Sequence, residues 1–207
     1  MNQWIREAWP RPRARMTGAL YLLYFLTAIF AQFLVGRGLA VSGNVTNVIA
    51  TVCYLVVTLL FYGLFKPVSS SLSLLAALFS LAGCVVMVFG FFHLASSLIS
   101  PLLFFGPFCL LIGYLILRSS FLPRVLGVLM AFAGLGWLAF LLPAIPHYLS
   151  LAFEVLGFLA ESSLCLWLLV MGVNVERWKQ QASGAKASIQ TGEPPSTTDI
   201  ASTPGKP

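Results

Sequence analysis

The sequence predicts an all-α fold, an integral membrane bundle of six transmembrane helices with both termini in the cytoplasm. Two observations predict it. The first is composition: 59% of the 207 residues are apolar and 9% are charged, against about 25% charged in an ordinary soluble domain. Twelve of the 18 charged residues stand outside residues 17–175, which leaves six for the 159 residues between. A surface that poor in charge must be solvated by lipid, where helices satisfy the backbone internally. The second is the placement of positive charge. If all six apolar runs cross, Arg6, Arg11, Arg13, Arg15, Lys66, Arg118, Arg124, Arg177, Lys179, Lys186 and Lys206 fall on one side and Arg37 alone on the other. That asymmetry is the positive-inside bias of an even number of spans. It also accounts for the net charge of +6 without a nucleic-acid partner, because the cations sit at helix ends and form no phosphate-binding face.

Residues 1–16 read as a basic cytoplasmic segment in which Trp4, Ile5, Ala8 and Trp9 share a helical face suited to the membrane interface and Pro10 ends the turn. The expected spans are 17–36, 45–65, 72–95, 97–117, 125–142 and 149–173, marked off by charges, prolines and polar clusters. Most reach the roughly 20 residues needed to cross about 30 Å of hydrocarbon. The fourth is short if it begins at Leu102, and it is extended to Ser97 with a kink at Pro107. The first span is longer than a signal-peptide core and is read as retained. Residues 176–207 are read as a disordered cytoplasmic tail, since from Gln180 onward they are rich in Ser, Thr, Gly, Pro and Ala and carry no aromatic residue.

Within the spans the informative residues are the polar ones. Glu154 and Glu161 lie seven residues apart in the sixth span, about two helical turns, so both fall on one stripe with Gly157, Cys165 and Gly172. Small residues let a neighbouring helix approach, which marks this face as the buried one. Glu161 stands near mid-depth and Glu154 near the outer boundary. In lipid the neutral acid is the less costly form, so Glu161 is a candidate proton carrier or cation ligand. The second span carries a polar stripe of Asn44, Asn47, Thr51, Tyr54, Thr58 and Tyr62, and the first carries Tyr21, Tyr24, Ala28 and Gln32. The candidate intramembrane site is therefore Glu161, Glu154, Gln32, Asn47, Thr51 and Tyr54. The same stripes also suit plain helix-to-helix hydrogen bonding.

The sequence predicts no catalytic residue, cofactor or metal. Cys53, Cys84, Cys109 and Cys165 all fall inside spans without a C-x-x-C pair and read as packing residues. His93 and His147 have no carboxylate or cysteine beside them to complete a ligand set, and neither H-E-x-x-H nor G-x-S-x-G occurs.

Several stretches resemble a family of bacterial membrane proteins, domain of unknown function family 4386. They are TGALYLLYFLTAIFAQ at 17–32, LLFYGLFKPV at 59–68, FFGPFCLLIGYLILRS at 104–119, LPRVLGVL at 122–129 and ESSLCLWLLVMGV at 161–173. The most specific is RSSFLPRVLGVL, which joins a charged turn, a proline and spaced glycines. The resemblance implies a six-helix protein of the bacterial inner membrane and supplies no activity. It also implies departures: a shorter connection between Ala95 and Leu102, and Gln32, Asn44 and Phe108 where the family tends to carry a carboxylate, an acidic residue and a histidine. Glu161 matches the family position ahead of LCLWLL.

The functional expectation is a non-enzymatic, multi-pass inner-membrane protein with the lipid bilayer as its surroundings. It acts either as a small-solute or proton-linked transporter using Glu161, or as an accessory component working through a membrane protein partner or a homo-oligomer. A lipid-modifying enzyme is a third and weaker reading, for which the sequence offers no nucleophile.

Overall fold

The computed structural model describes residues 10–92, 100–141 and 147–191. The proposed interfacial face at Trp4 to Trp9, His93, the side chain of His147 and the stretch 192–207 lie outside the described residues. Those described form seven helices and no strand: α1 (Pro10–Gly36), α2 (Ala40–Phe65), α3 (Ser70–Phe91), α4 (Leu102–Arg118), α5 (Arg124–Ala139), α6 (His147–Val170) and α7 (Val175–Thr191).

Helix α1 starts earlier than the sequence suggests. Pro10 and Pro12 occupy the first turn of α1, where a missing N–H costs nothing because those donors have no intrahelical partner. The turn into α2 is made at Gly38, whose φ of 81° lies in the left-handed region that a side chain disfavours. Leu39 N–H reaches back to the Leu34 carbonyl at 3.0 Å across it. Helix α3 begins behind Ser69, whose hydroxyl accepts from Leu72 N–H.

Helix α4 begins inside the expected span 97–117. It starts at Leu102 behind Pro101, and Ser100 Oγ accepts from the Leu102 N–H at 3.3 Å. The cause is local: this hydroxyl and the Ser100 and Pro101 carbonyls satisfy the first donors of the helix.

Residues 176–207 do not behave throughout as a disordered tail. Helix α6 stops at Gly172, with φ 69° and its N–H on the Trp167 carbonyl. Asn174 Oδ1 then accepts from Arg177 N–H and caps a new helix, α7. Trp178 holds α7 to the bundle by donating its indole N–H to the Leu64 carbonyl at 3.0 Å. Gln181 accepts from Ser120 and donates to the Arg118 carbonyl.

Each of the first six helices packs against its neighbours in sequence, and α6 returns to α1, so the helices form a closed ring. Seams are set by glycines. On α4 and α5, Gly106, Gly113, Gly127 and Gly134 bring the two backbones so close that a Cβ at any of them would collide with the opposite helix. On α1, Gly18 meets the backbone of Leu169 and Cys165 on α6.

The ring is filled by Tyr21, Phe61, Phe65, Phe108, Ile112, Leu115, Met130, Leu164 and Leu168, all fully buried. Its outside is apolar as well: Leu26, Phe30, Val41, Leu59, Leu78, Val125, Phe132 and Leu159 are exposed. An apolar exterior around an apolar core is the pattern of a lipid-solvated bundle. Among the described residues, four helices are long and apolar enough to cross a membrane: Arg11–Gly36, Ala40–Phe65, Ser70–Phe91 and Leu151–Val170. Leu102–Arg118 and Arg124–Ala139 are shorter apolar helices.

Candidate functional site

The only acidic side chain drawn into the ring among the described residues is Glu161 on α6, and the local sequence explains how its partners reach it. Gly18 lets α1 and α6 touch, with Cys165 Sγ donating to the Gly18 carbonyl at 3.3 Å. One turn along from that contact on each helix stand Tyr21 and Glu161. Tyr21 donates its hydroxyl to Glu161 Oε2 at 2.7 Å. Gly157, one turn before Glu161, leaves space that the Trp137 ring fills, and the indole N–H of Trp137 donates to Glu161 Oε1 at 3.3 Å. Cys109 on α4 adds its thiol to the same oxygen at 3.9 Å. Donors from α1, α4 and α5 thus converge on one carboxylate of α6.

All three donors are uncharged. The basic residues of the helix-bounding segments, Arg37, Lys66, Arg118 and Arg124, stand at helix ends. A carboxylate offers about four lone-pair positions, so three donors still leave room for a proton or a monovalent cation.

Aromatic rings surround this group. The Tyr21 ring lies 4.9 Å from Phe25, 6.0 Å from both Tyr24 and Tyr54, and 5.9 Å from Phe61. Tyr24 and Tyr54 lie 4.8 Å apart, and Tyr54 also meets Phe105 and Phe108 edge-on. Beyond Tyr54, a groove of about 200 Å³ opens between α2 and α3, lined by Thr51, Leu55, Leu81, Cys84, Val85, Val88 and Phe89.

The structure divides the residues that the sequence groups as one site. Tyr54 is buried in the ring cluster beside Tyr21. Asn47 and Thr51 are buried on α2 but away from the carboxylate; the Thr51 hydroxyl donates to the Asn47 carbonyl at 2.9 Å and lines the groove. Much of the polar stripe of α2 serves α3: Asn44 donates to the Phe91 carbonyl, Thr58 bonds Ser80 at 2.6 Å, and Ser73 donates to the Tyr62 carbonyl. Gln32 and Glu154 are exposed. Glu154 shares a stripe with Glu161, yet the tight α1–α6 contact lies at the other end of α6, around Gly18, Cys165 and Leu169.

Three residues absent from the sequence-derived site complete it: Tyr21, Trp137 and Cys109. Tyr21 carried a signal, being on the first-span stripe. Trp137 carried a weaker one, since a buried indole N–H needs an acceptor. Among the described residues no group of three His, Cys, Asp or Glu could hold a metal ion.

An uncharacterised protein of Archaeoglobus fulgidus is 27% identical over 117 residues, covering 54% of this chain and 72% of that protein. No solved structure matches. Glu161, Trp137 and Cys109 all lie within residues 96–172, and that segment matches the family that the sequence resembles, described as a domain of unknown function (DUF4386).

Proposed function

We propose that the protein is a six-span membrane protein, both termini cytoplasmic, that moves a small solute in exchange or in company with protons bound at Glu161. The ring supports six spans because α4 and α5, at 17 and 16 residues, close it between helices long enough to cross. At 1.5 Å per residue they rise about 25 Å, close to the hydrocarbon thickness. Orientation is supported by the cations gathered at one end: Arg15 donates to the Val170 carbonyl, Arg177 to the Ser120 carbonyl, and Arg118 and Lys66 end α4 and α2 there. A bacterial inner membrane suits this bias.

The observation that carries the reading is one carboxylate held by uncharged donors from three other helices. Such a group changes its bonding when it takes a proton. A proton on Oε2 removes the negative charge that strengthens the bond from Tyr21, so the tyrosine hydroxyl is held more weakly or turns to accept from the new O–H. Either change alters the bond that joins α1 to α6, and a helix contact is thereby coupled to protonation.

The test uses proteoliposomes with an entrapped pH dye, to which a panel of small amines, amino acids and sugars is added in turn. Solute-dependent proton movement that disappears in Glu161→Gln is expected; movement indifferent to that substitution overturns the reading. A second reading, an accessory protein working through a membrane partner, is favoured by the way Glu161 ties α1, α4, α5 and α6 together. A partner copurifying at native expression in mild detergent, without solute-dependent proton movement, would establish it.

A further inference from the structure

We propose that the turn joining α4 to α5, together with the first turn of α7, binds the headgroup of an anionic phospholipid from the leaflet at that end of the bundle. The site is separate from Glu161 and does not depend on the transport reading.

The turn is the RSSFLPR segment, residues 118–124, with Arg118 at its start and Arg124 at its end. Helix α7 brings a third arginine, because the Arg177 guanidinium donates to the Ser120 carbonyl at 3.3 Å. All three arginines are exposed. Gln181 fastens α7 here by donating to the Arg118 carbonyl and accepting from Ser120, which keeps Arg177 at the turn. The acceptors are uncharged: the Ser120 carbonyl for Arg177 and the Tyr114 hydroxyl, at 3.2 Å, for Arg118. Among the described residues of the turn and of α7 the one carboxylate is Glu176, so positive charge is in excess. Guanidinium groups suit a phosphate, to which they offer paired donors in one plane.

The place of these cations selects a lipid over a soluble anion. Arg118 folds back along α4, its guanidinium 5.8 Å from the centre of the Tyr114 ring, and Tyr114 is exposed on the outside of the bundle. A cation held there stands at the edge of the hydrocarbon, where tyrosine is itself favoured. Following Arg124, Val125, Val128, Phe132 and Leu135 are exposed along one face of α5, an apolar lane on which the acyl chain of a bound lipid lies. Each basic residue close to an anionic leaflet is worth about a fivefold gain in binding. Three arginines against one carboxylate therefore favour an anionic headgroup over a zwitterionic one by about tenfold or more.

The test is native mass spectrometry of the purified full chain in mild detergent, with phosphatidylglycerol and phosphatidylcholine of identical acyl chains added in equal amounts. The expected result is retention of phosphatidylglycerol with about tenfold or more higher affinity. The double variant Arg118→Gln, Arg124→Gln should lose most of that preference, while Arg37→Gln, at the opposite end of the bundle, keeps it. In the wild type, where no substitution can disturb folding, raising ammonium acetate from about 0.1 M to about 1 M shortens the screening length and should lower the preference. Equal retention of the two lipids, a preference that survives the double variant or falls equally in Arg37→Gln, or one indifferent to salt overturns the proposal. Displacement of the lipid by an equal concentration of glycerol phosphate would reveal a site for free anions and overturn the assignment to lipid.

Discussion

Tyr21 and Glu161 lie 140 residues apart in the chain and meet through a 2.7 Å hydrogen bond that joins the first helix of the ring to the last. The ring is closed at this seam by glycine contact at Gly18 and by this bond, so the carboxylate is at once a structural tie and the group whose bonding a proton would change.

Tyr21→Phe keeps the ring stacked on Phe25 and removes the donor. The expected loss is about 0.5–3 kcal/mol, the lower end for a bond to the neutral acid and the upper for one to the carboxylate, read as a lower thermal midpoint in detergent. An unchanged midpoint would show that the bond contributes nothing to the fold.

Gln32→Ala and Glu154→Gln alter exposed side chains and should each shift stability by less than about 0.5 kcal/mol. Solute-dependent proton movement should also be unaffected. A loss of movement in Glu154→Gln would place the working carboxylate nearer the end of α6 than Glu161.

Gly127→Ala puts a Cβ at 2.8 Å from the Gly113 carbonyl oxygen and should destabilise by about 1–3 kcal/mol, the usual cost of overpacking. Gly63→Ala on α2 meets nothing within 4 Å, and it should stabilise by roughly 0.5–1 kcal/mol through helix propensity alone. Thermal midpoints of the pair, measured side by side, check both signs.

Thr58 and Ser80 share a 2.6 Å hydrogen bond between α2 and α3. A double-mutant cycle with Thr58→Val and Ser80→Ala should return a coupling of about 0.6 kcal/mol, as interhelical bonds in membranes do. A coupling near zero would mean that the polar stripe of α2 does not hold α3.

Trp178→Ala removes the indole that fastens α7 to the Leu64 carbonyl. Backbone amides of α7 should then exchange with deuterium faster while those of α6 keep their protection. Unchanged exchange in α7 would show that Gln181 and Arg177 suffice to hold it.

The sequence by itself determined that this chain lives in lipid and is helical. Nine per cent charged residues cannot cover a water-facing surface, and a backbone in hydrocarbon must bond to itself. It also singled out Glu161, because the cost of a mid-span carboxylate is a property of the residue and its depth. The boundaries at Pro10, Leu102 and Val175 were not legible in the same way. Capping by Asn174 and Ser100 and the docking of Trp178 are short-range or tertiary effects that run against hydropathy. Only the tertiary structure decided which polar groups meet. Periodicity gives the direction of a side chain around its own helix axis, but not the rotation of one helix against another. That rotation is set by the glycine seams at Gly18 and along α4 and α5, where backbones approach closest. It carries Tyr21, Cys109 and Trp137 to Glu161, leaves Tyr54 a ring away, turns most of the α2 stripe toward α3, and leaves Gln32 and Glu154 outside.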